Sequence, residues 1–405
     1  MTTPAELPRV RPQRIASLDI FRGLNLALMI FVNELAEIKG LPWWTYHAPG
    51  RVDVMTYVDM VFPAFLVIVG MSLPLAIKAR MRRGDGTAEL VWYVLLRSVA
   101  LLVLGIIIAN GASGDPSLMH GIGRFAWSLL ALCGAGLVWF DYPASASESR
   151  RRAFNALRLL GLLLLVVLAV LFRRRGDSGV TGLSYDYPEI LGLIGYTYLV
   201  TGLCYLCTRR WRWAPAAWFL VFATYNVAAS AGRARVNAGW WIWPVQNGSM
   251  GALMFAGVVL SVIFFAEPVL DTFRKKAVAA LGFGLAAATT AWLAVPLGIS
   301  KIRATPTWVL FTIAACCVVY VALYWICDVR NQRAWAAPVS AAGANTLATY
   351  LLPDFWYYLV GILGWQWWNT HLNTGAFGVL RALAFTAAML ALSTVLIRRG
   401  MRLQL

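Results

Sequence analysis

Ionisable and polar side chains cluster at both ends of the first apolar segment of this 405-residue chain. Asp19 and Arg22 stand near its beginning, and their three-residue spacing places them on one helix face, where they can form an ion pair. Asn33 stands near its end, and His47 follows in the next loop. Histidine carries protons near neutral pH, whereas an asparagine amide can donate to a carbonyl oxygen or an oxyanion. These residue types therefore predict proton or group transfer beyond the far end of the segment.

Composition shows which elements must position these residues. Apolar residues make up 60% of the chain, charged residues only 13%, and mean hydropathy is +0.67. Soluble domains are about 45–50% apolar and about 25% charged. A water-soluble globule and a disordered chain are thereby excluded, and continuous rather than alternating apolar runs argue against an outer-membrane barrel. An all-α, polytopic membrane protein remains, because lipid-embedded backbone must satisfy its hydrogen bonds within its own segment.

Apolar runs long enough to cross a hydrocarbon core of about 30 Å predict about twelve transmembrane helices, within a range of ten to twelve. Alternate loops hold 21 and 9 Lys and Arg residues, which predicts that both termini are cytoplasmic. The same rule explains the net charge of +17 without a nucleic-acid partner. We expect one integral-membrane domain over residues 1–405, with Pro353 interrupting the eleventh span. The spans are predicted at 17–38, 54–77, 89–110, 119–140, 155–172, 187–207, 213–230, 247–267, 277–298, 306–327, 338–363 and 376–397.

Aromatic side chains are concentrated in the loops predicted to be external. These loops hold eight tryptophans against three in the cytoplasmic loops, and all three histidines lie on the external side. Flat aromatic faces stack on sugar rings, which favours a carbohydrate or glycolipid acceptor. An ordinary aromatic belt with buried loop anchors is the alternative. The candidate acceptor-binding residues are Trp43, Trp44, Asp59, Trp241, Trp243 and His371.

Several motifs resemble the heparan-α-glucosaminide N-acetyltransferase family, part of a transmembrane acyltransferase superfamily with many bacterial members. The similar segments are S-L-D-I-F-R-G at 17–23, F-V-N at 31–33, His47 before a glycine, and D-M-V-F-P-A-F-L-V-I-V-G at 59–70. Weaker similarity continues to residue 350. One departure is that the family's H-x-x-W-x-G loop here lacks the tryptophan, so the acceptor need not be terminal glucosamine.

The resemblance implies that acetyl-CoA binds from the cytoplasm and that its acetyl group passes to an amine or hydroxyl of a sugar on the other side. His47 matches the family's catalytic histidine, and Asn33 matches its catalytic asparagine. The family also suggests a homodimer, and its bacterial members suggest a cytoplasmic (inner) membrane location. No metal is expected.

A CoA thioester would need cations at the cytoplasmic mouth of the bundle, because its nucleotide end carries phosphates. Its extended arm would then reach His47, which would act as a general base or carry the acetyl group as a nucleophile. Asp59 could orient the site, pair with Arg124, or be structural. The candidate donor-binding residues are Arg14, Asp19, Arg22, Arg80 and Arg124.

Two other classes of protein are compatible with the sequence. A transporter or flippase of a sugar or lipid-linked intermediate would show an internal repeat or paired broken helices. No convincing repeat joins residues 1–200 to residues 201–405. An O-acyltransferase of an unrelated membrane family is the other alternative. Stabilisation by CoA or acetyl-CoA would favour an enzyme over a transporter, because a ligand that binds only the native state stabilises it.

Overall fold

A computed structural model describes residues 15–111, 113–143, 147–176, 179–234, 247–266, 270–365 and 367–403. The regular structure of these residues is helical, apart from a short antiparallel hairpin of β1 (Arg174–Gly176) and β2 (Gly179–Thr181). The first helices are α1 (Ala16–Ala36), α2 (Val58–Met81), α3 (Thr87–Asn110), α4 (Arg124–Trp139), α5 (Glu148–Leu171), α6 (Glu189–Thr208) and α7 (Ala214–Ser230). The later helices are α8 (Ser249–Phe265), α9 (Phe273–Leu293), α10 (Pro306–Tyr324), α11 (Ala337–Ala344), α12 (Thr346–Leu363), α13 (Trp367–His371) and α14 (Gly375–Arg398).

Eight of the described helices are long and apolar enough to cross a membrane, namely α1, α2, α3, α5, α6, α9, α14 and α10 with its π-helical extension. Two shorter apolar helices, α4 and α8, accompany them. A multi-pass helical membrane protein is thus supported, while the count of twelve and the cytoplasmic termini stay predictions. We call the end of the bundle where α1 begins and α2 ends the inner end, and the opposite end the outer end. The sequence predicts that the inner end faces the cytoplasm.

The run expected to be one span at 338–363 is two helices. Between α11 and α12, Asn345 leaves helical geometry at φ −125° and ψ 50°. Its side-chain amide donates to the carbonyl of Met401 at 3.2 Å and accepts from the backbone nitrogen of Leu403 at 3.3 Å. The break predicted at Pro353 was wrong, because α12 continues through that proline. The helix instead ends where Asn345 binds the backbone that follows α14.

Burial separates a central helix from a peripheral one. Nearly every side chain of α8 is buried, as expected for a helix that is apolar on all faces. Only Gly161 and Leu168 are buried on α5, and most of its other apolar side chains are exposed. In a membrane protein that exposed face is suited to lipid, so α8 belongs to the core of the bundle and α5 to its rim.

Glycines let the helices that carry the candidate site cross in backbone contact. A Cβ atom at Gly23 of α1 would overlap the carbonyl oxygen of Val339 in α11. A Cβ atom at Gly257 of α8 would likewise overlap the carbonyl oxygen of Val67 in α2. Small residues at such crossings allow close packing in membranes, where dispersion contacts and interhelical hydrogen bonds hold helices together. The positions of α1 and α2 are therefore set by these two contacts.

We predict that Gly257→Ala destabilises the protein by about 1–3 kcal/mol, because the added methyl group must push α8 away from α2. Thermal unfolding in detergent micelles measures this loss. The matched control is Gly282→Ala in α9, where an added Cβ meets no atom within 4 Å. That variant should be neutral or slightly more stable, since alanine favours helix. Equal unfolding temperatures for the two variants would contradict the assigned crossing.

Candidate functional site

His47 and Asp59 form a hydrogen-bonded pair at the outer end. Nδ1 of His47 lies 2.8 Å from Oδ1 of Asp59 in the first turn of α2. The Asp59 side chain is 1% exposed, whereas the His47 side chain is 44% exposed. Because an ionised carboxylate only accepts hydrogen bonds, Nδ1 of a neutral His47 ring carries the proton. The lone pair of Nε2 is then available to act as a base or nucleophile.

The second carboxylate oxygen of Asp59 is held by the segment that leads into α2. It accepts from the backbone nitrogens of Thr56 at 3.0 Å and Ala48 at 3.2 Å, and from the Thr56 hydroxyl at 3.3 Å. The indole nitrogen of Trp308 donates to the main-chain carbonyl of Asp59 at 2.9 Å. A buried charge requires such partners, so the carboxylate is satisfied and fixed. Among the roles left open by the sequence, this geometry suits orientation of His47.

Lys301 is the third charged group at this site, and the sequence analysis did not select it. Its Nζ lies 3.4 Å from both ring nitrogens of His47. Burial of the amine lowers the pKa of Lys301, and the negative charge of Asp59 opposes this shift only in part. The residue lies in the loop before α10, which carries no recognisable motif. The available signal was a lysine in a loop predicted to be external, where positive charge is disfavoured.

Asp53 ties the loop of His47 to the loop of Lys301. Its carboxylate accepts from the guanidinium of Arg303 and, at 3.1 Å, from the backbone nitrogen of Ile299. The Arg303 hydrogen bond lowers the pKa of Asp53, and the Ile299 bond adds to this effect. The two loops are therefore held together by a carboxylate that stays ionised well into the acidic range.

Asn33, predicted to be catalytic, lies exposed on the last turns of α1. Within the described part of the chain no hydrogen bond joins it to His47. An interhelical hydrogen bond of α1 is made by Asn25, whose amide donates to the carbonyl of Val61 at 3.0 Å. Asn33 is thus available to a bound molecule, and Asn25 connects α1 to α2.

Predicted acceptor-binding aromatics also lie at the outer end. Trp43 and Trp44 form a 3-10 turn just before His47 and are 65% and 51% exposed. The ring of Trp44 is 6.2 Å from that of Tyr57. His371 is exposed and stacks on Trp367 at 5.1 Å. The exposed rings of Trp43 and Trp44 therefore precede His47 in the chain, and the exposed ring of His371 lies at the end of α13.

Three other predicted site residues cannot be placed. Arg14, Trp241 and Trp243 lie outside the described residues. In the ranges that are described, no group of three or more His, Cys, Asp or Glu side chains could hold a metal ion.

A cavity of about 1050 Å³ opens at the inner end between α1, α2 and the residues around α8 and α9. Arg22 spans its wall, donating to Asp19 at 3.0 Å, to the carbonyl of Gly343 at 3.0 Å and to Ser72 at 2.9 Å. The predicted Asp19–Arg22 pair therefore forms, and both residues line the cavity. The charged lining residues are Asp19, Arg22, Lys78, Arg82, Asp271 and Lys276.

Two arginines predicted to bind the donor lie elsewhere. Arg80 pairs with Asp85 at 2.7 Å and covers the ring of Tyr93 at 4.3 Å. Arg124 begins α4 at the outer end and lies 4.8 Å from the ring of Phe125, so it pairs with neither Asp59 nor the inner cavity. Lys78, Arg82 and Lys276 were not selected from the sequence. Lys78 and Arg82 lie one turn apart at the end of α2, and the tertiary fold brings Lys276 to the same cavity.

One face of α2 runs along the inner cavity and an adjoining cavity of about 370 Å³, which meet at Arg22 and Ser72. The second cavity ends at Phe65, six residues after Asp59, or about 9 Å along the helix axis. The α2 residues that line the two cavities recur every three or four positions, as one helix face requires. They are Phe65, Val69, Ser72, Leu75, Ala79 and Arg82, with Lys78 beside them.

Comparison with known proteins gives two kinds of match. A family described as "Domain of unknown function (DUF5009)" matches residues 14–246, more than half of the chain. The human heparan-alpha-glucosaminide N-acetyltransferase (Homo sapiens) is 38% identical over 123 residues, which is 30% of this chain and 17% of that protein. The mouse protein of the same name (Mus musculus) is 35% identical over 129 residues, or 32% of this chain and 18% of that protein. The resemblance predicted from the motifs is confirmed, although the match spans less than a fifth of either relative.

Protonation of Asp53 should release the loop of Lys301. Its folded-state pKa lies below the ordinary value, so the tie is complete above an unfolded pKa of about 3.9. The tie is lost as pH falls through the folded-state pKa. After correction for intrinsic rates, amide hydrogen exchange at 299–303 should therefore quicken below about pH 4, and Asp53→Asn should exchange quickly at pH 7 as well.

The control for this experiment is Asp115→Asn, which removes another loop carboxylate, one that binds Arg175. It should leave exchange at 299–303 unchanged. If Asp53→Asn exchanged at the wild-type rate at pH 7, Asp53 would not join the two loops.

Proposed function

This chain belongs to the DUF5009 family, and from that premise we propose that it is a transmembrane acetyltransferase. It would move an acetyl group from cytoplasmic acetyl-CoA to an amine or hydroxyl of a sugar on the extracytoplasmic side. The observation that carries the proposal is the His47–Asp59 pair at the outer end of α2. The two relatives whose names specify N-acetyl transfer to a glucosaminide support it.

The inner cavity supports the proposed donor site. Its volume of about 1050 Å³ is sufficient for a large ligand, since ligand pockets are usually about 300–1000 Å³. Arg22, Lys78, Arg82 and Lys276 supply the positive charge that phosphates require. The thioester arm would follow the lined face of α2 to Phe65 and then pass the turn that separates Phe65 from Asp59.

His47 would act through Nε2, because the bond to Asp59 occupies Nδ1. As a general base, Nε2 takes the proton of the acceptor while the acceptor attacks the thioester carbonyl carbon. As a nucleophile, Nε2 attacks that carbon itself and passes the acetyl group to the acceptor in a second step. In both routes Asp59 stabilises the ring as it gains positive charge. Asn33, exposed near the same end, would hydrogen-bond the bound carbonyl.

The acceptor is proposed to be a carbohydrate or glycolipid. Trp43, Trp44 and His371 provide exposed rings at the outer end for stacking, and Trp241 and Trp243 are proposed to join them. The protein would act in a bacterial cytoplasmic membrane, and a homodimer is proposed from the family resemblance.

We predict that His47→Asn lowers acetyl transfer by at least about 100-fold, the usual contribution of a positioned base. Transfer of labelled acetyl from acetyl-CoA to glucosamine, measured in proteoliposomes, tests this prediction. The control His120→Asn changes an exposed loop histidine, and its positive φ of 53° is tolerated by asparagine. Unchanged turnover in His47→Asn would remove His47 from the reaction, whereas a trapped acetyl-enzyme would favour the two-step route.

We predict that Arg82→Ala weakens binding of acetyl-CoA about five- to tenfold, because one charge-assisted hydrogen bond is lost. The adjacent Arg83 is exposed and does not line the cavity, which makes Arg83→Ala the matched control. Isothermal titration with CoA and acetyl-CoA measures both variants. Equal affinities for Arg82→Ala and Arg83→Ala would place the donor phosphates outside this cavity.

A further inference from the structure

The Nζ atom of Lys301 lies beside the ring of His47, in a position that leaves Nε2 able to act as a base or as a nucleophile. It is equally distant, at 3.4 Å, from Nδ1 and Nε2. Because both nitrogens flank one ring carbon, an atom equidistant from them is displaced from the lone-pair direction of Nε2. Lys301 therefore presents its N–H groups next to the reactive nitrogen and leaves that nitrogen open.

The positive charge of Lys301 is not neutralised by a direct ion pair. Among the described residues, no carboxylate forms a salt bridge with its amine, and Asp59, whose charge acts on the amine, is bound to the ring of His47. Arg303, two residues further along the loop, is paired with Asp53. Partial burial of an ammonium without a counter-ion is costly. A developing negative charge beside His47 would satisfy it.

We propose that Lys301 is a catalytic residue that binds the carbonyl oxygen of the acyl group and stabilises the oxyanion formed beside His47. This role rests on the proposed acetyl transfer and deepens it. When a nucleophile bonds to the carbonyl carbon, the C=O π electrons move to oxygen. The intermediate collapses by re-forming C=O and breaking the C–S bond, and the CoA thiolate leaves. Lys301 donates a hydrogen bond throughout and transfers no proton.

Lys301 suits this role better than the groups around it. Asn33, proposed above as a donor to the same carbonyl, carries no charge, and the guanidinium of Arg303 is engaged by Asp53. An ammonium in a partly desolvated site stabilises an oxyanion more strongly than it would in water. Its lowered pKa has a consequence for rate, since Lys301 loses its proton at a lower pH than an ordinary lysine.

The test uses p-nitrophenyl acetate, an activated acetyl donor that needs neither CoA nor a sugar. His47, as nucleophile or as base for water, releases p-nitrophenolate, and water converts the acetyl group to acetate. The His47-dependent rate is the wild-type rate minus that of His47→Asn. Lys301→Met should lower this rate about 100-fold, as loss of one oxyanion donor does. Lys39→Met, which removes an exposed lysine at the same end, should stay within about twofold.

A pH profile separates a charge role from a structural one. The wild-type rate should fall as pH rises, with a midpoint below about pH 10.4, the ordinary lysine pKa. The fall follows because Lys301 loses its proton and with it its positive charge. Lys301→Arg keeps a charge that does not titrate in this range, so it should retain activity and lose the alkaline fall. Unfolding temperatures of Lys301→Met and Lys301→Arg in detergent identify any loss of activity that follows from misfolding.

Three results would overturn the proposal. They are a wild-type rate in Lys301→Met, an alkaline fall that persists in Lys301→Arg, and an absence of His47-dependent hydrolysis in the wild type. The proposed function fails separately if ester hydrolysis behaves as expected while acetyl-CoA neither binds nor donates. The two failures are therefore distinguishable with the same set of variants.

Discussion

The geometry of the site depends on one hydrogen bond, between Nδ1 of His47 and the buried carboxylate of Asp59. A carboxylate at 1% exposure is stable only where donors surround it, and the turn into α2 supplies them through Thr56 and Ala48. Because the carboxylate of Asp59 in this turn only accepts hydrogen bonds, the neutral imidazole of His47 carries its proton on Nδ1. A loop histidine that is 44% exposed would otherwise sample many orientations, and this bond gives it one.

Helix α2 connects that bond to the rest of the molecule. It begins at the His47 site, it lines both cavities along one face, and it ends among the cations of the inner cavity. Its position depends on backbone contact with α8 at Gly257, just as the position of α1 depends on contact with α11 at Gly23. In a bilayer such contacts replace the hydrophobic driving force between helices. A site at one end of α2 and a charged cavity at the other thus belong to one continuous helix.

The sequence predicted those features that depend on composition and on residues close together in the chain. The membrane class follows from composition, the Asp19–Arg22 pair from helical spacing, and His47 from its residue type and neighbouring motifs. The sequence misplaced the break after α11, because Asn345 breaks the helix only when the backbone near residue 401 is there to bind it. Lys301 approaches His47 across 254 residues, and Arg22 binds Gly343 across 321. No periodicity or motif encodes contacts at such separations, so they required the fold.

The most direct test of the central claim is a structure determined in lipid nanodiscs with a non-hydrolysable acetyl-CoA analogue. We predict that the nucleotide phosphates lie among Arg22, Arg82 and Lys276, that the arm lies along α2, and that the acyl carbon lies about 3–3.5 Å from a reacting atom at His47. Density for an acyl group that stops in the inner cavity, or enters from another face while His47 faces only bulk solvent, would contradict this prediction.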